Sequence, residues 1–230
     1  MDGLAREAVT GVVLAGGLGR RMGADRDGDD KGLRTFRGRA LAAHAIARLA
    51  PQVGPLAISA NRNPTAWRAF GLPVWADRLE GFAGPLAGLH AGMANASTPW
   101  LATVPCDAPF LPRDLVARLS AAVLAADAQV ALARAGGRTH PVFALVERGL
   151  RAHLEAFLEG GGRKVADWCG SLRAVEVPFD DAAAFLNLNT AEELAAAEGL
   201  AAAEERATGE APARREHDAA PARAGRTGPR

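Results

Sequence analysis

The chain has 230 residues, 49% of them hydrophobic, and a formal net charge of +1 at pH 7. This length and apolar content suffice for a buried core, and the near-neutral charge favours neither nucleic acid nor a membrane surface as a partner. The two cysteines lie too far apart for a CxxC zinc site, and no apolar run approaches the roughly 18 residues of a membrane-spanning helix. No signal-peptide pattern opens the sequence, so we expect a cytoplasmic protein, monomeric or weakly oligomeric.

The first predicted element is a buried strand that leads into a glycine-rich loop. Residues 11–32 read GVVLAGGLGRRMGADRDGDDKG, in which the strand Val12–Ala15 precedes the glycines. Glycines let a backbone approach an anion closely and present free N–H groups to it. Arg20, Arg21 and Lys31 supply the positive charge that a polyphosphate requires. The stretch predicts a nucleotide triphosphate site, the alternative being a tight βα turn with a solvated basic face.

Strands and helices then alternate along most of the chain. The further predicted strands are Pro55–Ala60, Pro73–Ala76, Trp100–Val104, Gln129–Arg134, Pro141–Val146, Leu172–Val177 and Phe185–Leu188. The predicted helices are Arg39–Leu49, Gly84–Ala94, Arg113–Ala126, Glu147–Glu159 and Arg163–Trp168, with a last helix opened by the capping-box spacing of Thr190 and Glu193. This alternation predicts an α/β fold, a three-layer α/β/α Rossmann-like sandwich with a mainly parallel sheet.

Composition changes near residue 200. We expect one domain over residues 8–200, whereas residues 201–230 contain no Val, Ile, Leu, Met or aromatic residue. A segment of that kind buries too little apolar surface to offset the entropy of ordering. Residues 201–230 are therefore predicted to be a disordered tail.

Polar or glycine residues follow four of the predicted strands: Gly16-Gly17, Asn61, Asp77 and Asp107. Ligands of parallel sheets bind beyond the carboxyl ends of the strands, so four such residues predict one crevice, although each alone is an ordinary turn residue. Asp107 offers the hard oxygen ligand that Mg²⁺ prefers when it bridges phosphates. Asp77 is interpreted either as a second metal contact or as an acceptor for the edge of a base.

The two common glycine-loop signatures fit poorly. A P-loop requires Ser or Thr after its lysine, but Gly32 follows Lys31. A dinucleotide fingerprint requires GxGxxG and an acidic residue after the second strand, and neither is present. An NAD(P)-dependent oxidoreductase and a non-catalytic GTP-binding switch are thus the weaker alternatives. Of the histidines, His140, which precedes Pro141, is the one whose position favours a ligand contact.

Several motifs together resemble the nucleotidyltransferases that act on the molybdenum cofactor. In chain order they are Leu14-Ala15-Gly16-Gly17, Arg21-Met22-Gly23, Lys31-Gly32, Ala60–Asn63, Asp77, Gly84–Gly88, Pro105–Phe110 and Phe185–Thr190. The resemblance extends over about residues 10–198. It implies a fold of the nucleotide-diphospho-sugar transferase type and transfer of GMP from GTP to the terminal phosphate of molybdopterin or Mo-molybdopterin, with release of pyrophosphate.

The resemblance also implies roles for individual residues. The implied GTP contacts are Leu14, Ala15, Gly16, Gly17, Lys31, Asn61, Asp77 and Asp107, with Asp107 holding Mg²⁺. The implied catalytic residues are Arg21, Lys31 and Asp107, and the molybdopterin contacts are His140, Pro141, Asn187 and Asn189. The molybdenum-insertion protein and acceptor molybdoenzymes are the implied protein partners. Cytidylyl transfer to the same cofactor stays open, although a second glycine in the loop leaves room for a purine.

One segment departs from the family pattern. Seven residues, with four aspartates among them, separate Gly23 from Lys31. Carboxylates near a triphosphate would repel it, and Lys31 would have to fold back to reach the phosphates. We therefore expect this insert to work against phosphate binding by Lys31.

Overall fold

The computed structural model describes residues 3–15, 30–78, 84–188, 190 and 192–199. Within these ranges the strands are β1 (Val9–Leu14), β2 (Thr35–Phe36), β3 (Arg39–Ala40), β4 (Leu56–Ser59), β5 (Val74–Trp75), β6 (Trp100–Pro105), β7 (Val130–Ala135), β8 (Arg138–Glu147) and β9 (Ala174–Phe179). The helices are α1 (Leu41–Leu49), α2 (Pro64–Arg68), α3 (Pro85–Asn95), α4 (Leu115–Ala126), α5 (Arg151–Glu159) and α6 (Val165–Cys169). Residues 192–199 form a further helix.

Seven strands form one sheet in the order β5-β4-β1-β6-β8-β7-β9. Strands β5, β4, β1 and β6 pair in parallel, β8 runs antiparallel to both of its neighbours, and β9 is parallel to β7. Only β8 therefore opposes the common direction among the strands of this sheet. The predicted mainly parallel α/β/α sandwich is confirmed, and the strand ends that carry the polar residues lie at one edge.

Helices cover both faces of the sheet, and each face has its own apolar core. Strand β1 supplies both cores, since Val9 and Val13 pack with α1 and α4, whereas Val12 and Leu14 pack with α3 and α5. Successive side chains of a strand point to opposite faces. Burial on both faces is the reason why Val12, Val13 and Leu14 form an apolar run rather than an alternating pattern.

Most predicted elements are found within a few residues of their predicted bounds, but one strand is wrong. In place of the predicted strand Phe185–Leu188, Phe185 ends the 3₁₀ turn Ala183–Phe185 and residues 186–188 have no regular structure. Phe185 is buried against the rings of Phe143 and Phe179, and the Leu188 N–H donates to the Asp107 carbonyl at 2.9 Å. A short apolar run cannot by itself distinguish a strand from a buried turn.

Two short elements were not predicted. The β2–β3 hairpin turns through Arg37 and Gly38 with φ of 50° and 75°, the positive angles of a tight hairpin turn. Helix α2 is only five residues long and begins after Asn63, which has φ of 46°. The predicted capping box is confirmed, because the Thr190 N–H donates to Glu193 at 3.0 Å and the Glu193 N–H to Thr190 at 3.1 Å.

The predicted single domain over residues 8–200 stays a prediction, supported by a sheet whose strands come from residue 9 to residue 179. The predicted tail, residues 201–230, lies outside the described residues. Within the described part of the chain, no helix has the length and apolar character needed to cross a membrane.

Replacement of Gly11 by Ala tests how tightly the core packs against the central strand. A Cβ at Gly11 would lie 2.7 Å from Leu56 Cδ1, 2.9 Å from Val53 Cγ2 and 3.1 Å from Leu49 Cδ2. Overpacking of a tight core costs about 1–3 kcal/mol, so we expect Gly11→Ala to lower the free energy of unfolding by that amount in urea titration. The control is Gly149→Ala, whose Cβ meets nothing nearer than Glu147 at 3.6 Å; equal stability of the two variants would contradict this packing.

Candidate active site

Asp107 lies at the carboxyl edge of the sheet, two residues beyond β6, and is 8% exposed. Its backbone is fixed by neighbours on both sides, since the Cys106 N–H donates to the Leu14 carbonyl at 3.1 Å and the Asp107 carbonyl accepts from Leu188. Burial raises the pKa of the Asp107 carboxyl, the charge of Lys31 lowers it and the charge of Glu193 raises it. Because burial disfavours its charged form, the Asp107 carboxylate gains from a positive charge in its surroundings.

Gly32, which follows Lys31, fits between the side chains of Trp67 and Cys106. Lys31 begins a 3₁₀ turn, Lys31–Leu33, and a Cβ on Gly32 would lie 2.7 Å from Trp67 and 2.8 Å from Cys106 Sγ. Only a glycine passes through this gap, which explains the Lys-Gly pair. Burial raises the pKa of the Cys106 thiol, so Cys106 acts as a small packing residue rather than as a nucleophile.

The aspartate before Lys31 does not face an open site. Asp30 is 5% exposed, and its carboxylate accepts hydrogen bonds from Arg62 at 3.0 Å, from Asn63 at 3.0 Å and from the Trp67 indole at 3.1 Å. The expectation that the aspartates before Lys31 repel phosphate is therefore wrong for Asp30, because its charge is already paired. The rest of that insert lies outside the described residues.

Asn61 and Asp77 form a pair at the ends of β4 and β5. The Asn61 amide donates to Asp77 Oδ2 at 2.6 Å, and the Asp77 N–H donates to Asn61 Oδ1 at 2.7 Å. Burial raises the pKa of the Asp77 carboxyl, while the Asn61 hydrogen bond lowers it. Asp77 Oδ1 is buried with no hydrogen-bond partner among the described residues. A buried oxygen of this kind calls for a hydrogen-bond donor, so the pair is suited to a ligand that donates a hydrogen bond.

Helix α3 reaches the same edge because of a second close-packed glycine. A Cβ on Gly88 would lie 2.8 Å from both Leu14 Cδ2 and Ser59 Oγ. The first turns of the helix therefore lie directly against the ends of β1 and β4. The Ala15 N–H donates to the Ser59 carbonyl at 2.8 Å, so the parallel pairing continues past Leu14. Leu14 and Ala15, the predicted GTP contacts, thus lie where β1 opens into the loop.

The predicted molybdopterin contacts lie in different surroundings. His140 is 9% exposed, with its ring 5.0 Å from that of Phe185 and its Nε2 3.3 Å from the Ala135 carbonyl. Burial lowers the pKa of His140 because it disfavours the charged imidazole. The ring is therefore part of the packing inside the protein. Pro141 follows it in β8, and Asn187 is exposed next to the segment that bonds to Asp107. Their contact with a pterin stays a prediction.

Four predicted site residues lie outside the described residues: Gly16, Gly17, Arg21 and Asn189. The other residues of the predicted nucleotide half lie at one edge of the sheet: Leu14, Ala15, Lys31, Asn61, Asp77 and Asp107. Sequence reasoning did not find Asp30 and Trp67 as parts of this site, and it assigned Glu193 only a capping role. The capping box of Thr190 and Glu193 was the signal that could have placed Glu193. It begins the last helix, which follows Leu188, and Leu188 is bonded to the Asp107 carbonyl.

A magnesium ion is compatible with the residues present. The described part of the chain contains no group of three or more His, Cys, Asp and Glu residues placed to hold a metal. Mg²⁺ in phosphate-transfer sites is usually bound by one or two carboxylates together with substrate phosphates and water. Asp107 supplies one carboxylate at the edge of the sheet and so meets that requirement.

Comparisons with known proteins identify the family of the chain. Residues 11–175 match the family described as the MobA-like NTP transferase domain. A molybdenum cofactor guanylyltransferase of Cupriavidus taiwanensis is 52% identical over 198 residues, which is 84% of this chain and 98% of that protein. The protein of the same name from Bordetella petrii is 52% identical over 190 residues, or 81% and 95% of the two chains.

Solved structures show the same fold. The crystal structure of molybdopterin-guanine dinucleotide biosynthesis protein A from Archaeoglobus fulgidus matches with a TM-score of 0.68 and 22% identity, over 84% of this chain and 99% of that one. A 2-C-methyl-D-erythritol 4-phosphate cytidylyltransferase from Thermus thermophilus matches with a TM-score of 0.60 and 18% identity, over 83% and 98%. With the family match over most of its length, the chain belongs to the MobA-like NTP transferases and is a nucleotidyltransferase.

Proposed function

We propose that the protein transfers GMP from GTP to the terminal phosphate of molybdopterin or Mo-molybdopterin and releases pyrophosphate. The observation that carries the proposal is that Lys31, Asp107 and the hydrogen-bonded Asn61–Asp77 pair lie at one edge of the sheet, with the charge of Lys31 acting on Asp107. Lys31 and Asp107 have the charges that a triphosphate and its metal need, and the Asn61–Asp77 pair has the acceptors that a base needs. The names of the relatives from Cupriavidus and Bordetella support the choice of nucleotide and acceptor.

The Asn61–Asp77 pair is the proposed contact for the guanine base. Guanine presents N1–H and a 2-amino group side by side, and a carboxylate accepts hydrogen bonds from such donors. Asp77 Oδ1 is without a partner among the described residues, while Asn61 holds Oδ2 at 2.6 Å. Asn61 thereby fixes the orientation of the carboxylate before the base arrives. Leu14 and Ala15 complete this half of the proposed site, together with Gly16 and Gly17.

Lys31 and Asp107 serve the phosphates. Catalysis of phosphoryl transfer consists mostly of positioning and of stabilising charge on the transferred group. We assign Lys31, with Arg21, to the charge that develops on the triphosphate. Asp107 is the proposed ligand of Mg²⁺, which when bound neutralises the negative charge of the phosphates. The terminal phosphate oxygen of molybdopterin attacks the α-phosphorus, and the bond to the β-phosphate oxygen breaks as pyrophosphate leaves.

The acceptor half of the proposed site is on the side of β8 and of the segment before the last helix. Asn187 and Asn189 are the proposed pterin contacts, because the neighbouring Leu188 is tied to the Asp107 backbone. Pro141 is proposed to contact the ligand directly, and His140 to support it through its packing on Phe185. The molybdenum-insertion protein and the acceptor molybdoenzymes are the proposed partners that precede and follow this reaction.

A direct assay tests the proposed function. The purified protein is incubated with Mg²⁺, molybdopterin and each of GTP, CTP, ATP and UTP, and pyrophosphate and the dinucleotide product are measured. We expect turnover with GTP only, and none without molybdopterin. Turnover with CTP alone would replace GMP transfer by CMP transfer. Stable GTP binding without pyrophosphate release would indicate a GTP-binding protein rather than a transferase.

Replacement of Asp107 by Asn tests the metal assignment. The amide keeps the size of the side chain but removes its charge, so we expect transfer to fall by on the order of 10²–10³-fold at fixed Mg²⁺. The matched control is Asp114→Asn. The Asp114 side chain is 60% exposed just before α4, and its Oδ2 lies 3.8 Å from Nη1 of Arg118 in that helix. Full activity of the Asp107 variant in the pyrophosphate assay would remove Asp107 from the metal site.

Replacement of Asp77 by Asn tests the base contact. An amide oxygen accepts more weakly than a carboxylate, and hydrogen bonds to charged groups contribute about 1.5–3 kcal/mol. We expect GTP binding to weaken by that amount in calorimetric titration, while inorganic pyrophosphate binds as before. Asp127→Asn, at a fully exposed position, is the control. An unchanged affinity for GTP would show that Asp77 does not contact the base.

A further inference from the structure

We propose that Asp30 is a positioning residue for Lys31, held in place by the Trp67 indole and the loop before α2. The proposal deepens the function proposed above and rests on it, since it takes Lys31 as the group that acts on the phosphates. It makes α2, which carries none of the predicted site residues, a part of the catalytic apparatus.

Both oxygens of the Asp30 carboxylate accept hydrogen bonds from other side chains. A buried carboxylate is costly unless hydrogen bonds compensate for its lost hydration. Asp30 Oδ2 accepts from both Asn63 and Trp67, and Oδ1 accepts from Arg62. Three donors that converge on one side chain fix its position, and with it the backbone at the end of the acidic insert.

Lys31 is held in place by its two chain neighbours, Asp30 and Gly32. The Asp30 carbonyl accepts the Leu33 N–H at 2.8 Å and thereby starts the turn that contains Lys31. On the other side, Gly32 lies against Trp67 and Cys106 with no room for a Cβ. Trp67 thus bonds to the residue before Lys31 and packs against the residue after it. Since Cys106 adjoins Asp107, this arrangement sets the distance of the lysine from the metal-ligand candidate.

One short loop contacts both the proposed base contact, Asp77, and the proposed positioning residue, Asp30. Residues 60–63 connect β4 to α2, with Asn61 bonded to Asp77 and Asn63 bonded to Asp30. Asn63 has φ of 46° and ψ of 46°, a left-handed conformation that asparagine adopts more readily than most residues. The loop therefore fixes the base contact and the lysine in a single rigid unit.

Chemical labelling tests the positioning without any assay of activity. The chain contains only two lysines, Lys31 and the exposed Lys164, so Lys164 is an internal reference for acetylation followed by mass spectrometry. Lys31 is partly buried, and we expect its labelling relative to Lys164 to rise several-fold in Asp30→Asn and in Trp67→Phe. An unchanged ratio in both variants would overturn the proposal.

Trp168→Phe is the matched control for loss of a buried indole. Trp168 is also fully buried, and its indole N–H also makes a single side-chain hydrogen bond, to His153 at 3.0 Å, but it lies in the core on the opposite face of the sheet. We expect it to leave both the labelling ratio and the transfer rate unchanged. A rise in Lys31 labelling in this variant too would mean that loosening of the fold, not the Asp30 cluster, exposes the lysine.

A double-mutant cycle then connects position to catalysis. A displacement of about 1 Å can cost 10²-fold in rate, so we expect Asp30→Asn to lower kcat by about 10- to 100-fold in the otherwise unchanged protein. In the Lys31→Ala background the same change should cost almost nothing, because the lysine it positions is absent. An equal loss in both backgrounds would assign Asp30 a merely structural role and overturn the proposal.

The two measurements separate the proposal from the proposed function. If GTP transfer proves to be absent, the labelling ratio still decides whether Asp30 positions Lys31. If Asp30→Asn does not fold, Trp67→Phe and Arg62→Gln each remove one of the three donors and leave the carboxylate in place. Arg62→Gln is the milder change, because the Arg62 side chain is 43% exposed. We expect it to raise the labelling of Lys31 less than Trp67→Phe does.

Discussion

The parallel pairing of β1 with β4 and β6 is the constraint on which the rest of the structure depends. It sets Leu14 level with Ser59 on one side and with Pro105 on the other. Hydrogen bonds from Ala15 to Ser59 and from Cys106 to Leu14 continue the pairing one residue beyond the strands. Three loops therefore leave the sheet at the same height, and the residues that follow each strand lie at one edge although they are distant in sequence.

Two glycines show that the family motifs have a packing role as well as a binding role. Gly32 lies between Trp67 and Cys106, and Gly88 lies against Leu14 and Ser59. Neither has a positive φ among the described backbone angles, so the demand for glycine comes from close approach rather than from an unusual conformation. Such a glycine brings a whole segment about one methyl group nearer to the strand ends, which is where the reacting groups have to meet.

The sequence is sufficient for features that depend on local pattern, but not for those that depend on distant contacts. The apolar runs of β1 and β6 and the polar residues after them are visible in the sequence, so the edge of the sheet and Asp107 could be predicted. The insertion of β8, antiparallel, between β6 and β7 has no local signal. The partners of Asp30 are 32 to 37 residues away, so an acidic insert was all that the sequence revealed. His140 was interpreted from its neighbour Pro141, whereas its surroundings are set by Phe185.

The three buried or half-buried aspartates of the site differ in how far their charge is already satisfied, and this difference separates their roles. Asp30 has three donors and has little capacity left for a ligand. Asp77 has Asn61 on one oxygen, while the other oxygen has no partner among the described residues. The pKa of Asp107 is raised chiefly by burial, so its charged form gains from a cation. Because folding has to compensate each buried charge, a carboxylate saturated by the protein is there to hold the fold in place. One left short of partners is there for a ligand. The difference supports the proposed roles, in which Asp30 positions Lys31, Asp77 contacts the substrate and Asp107 binds the metal.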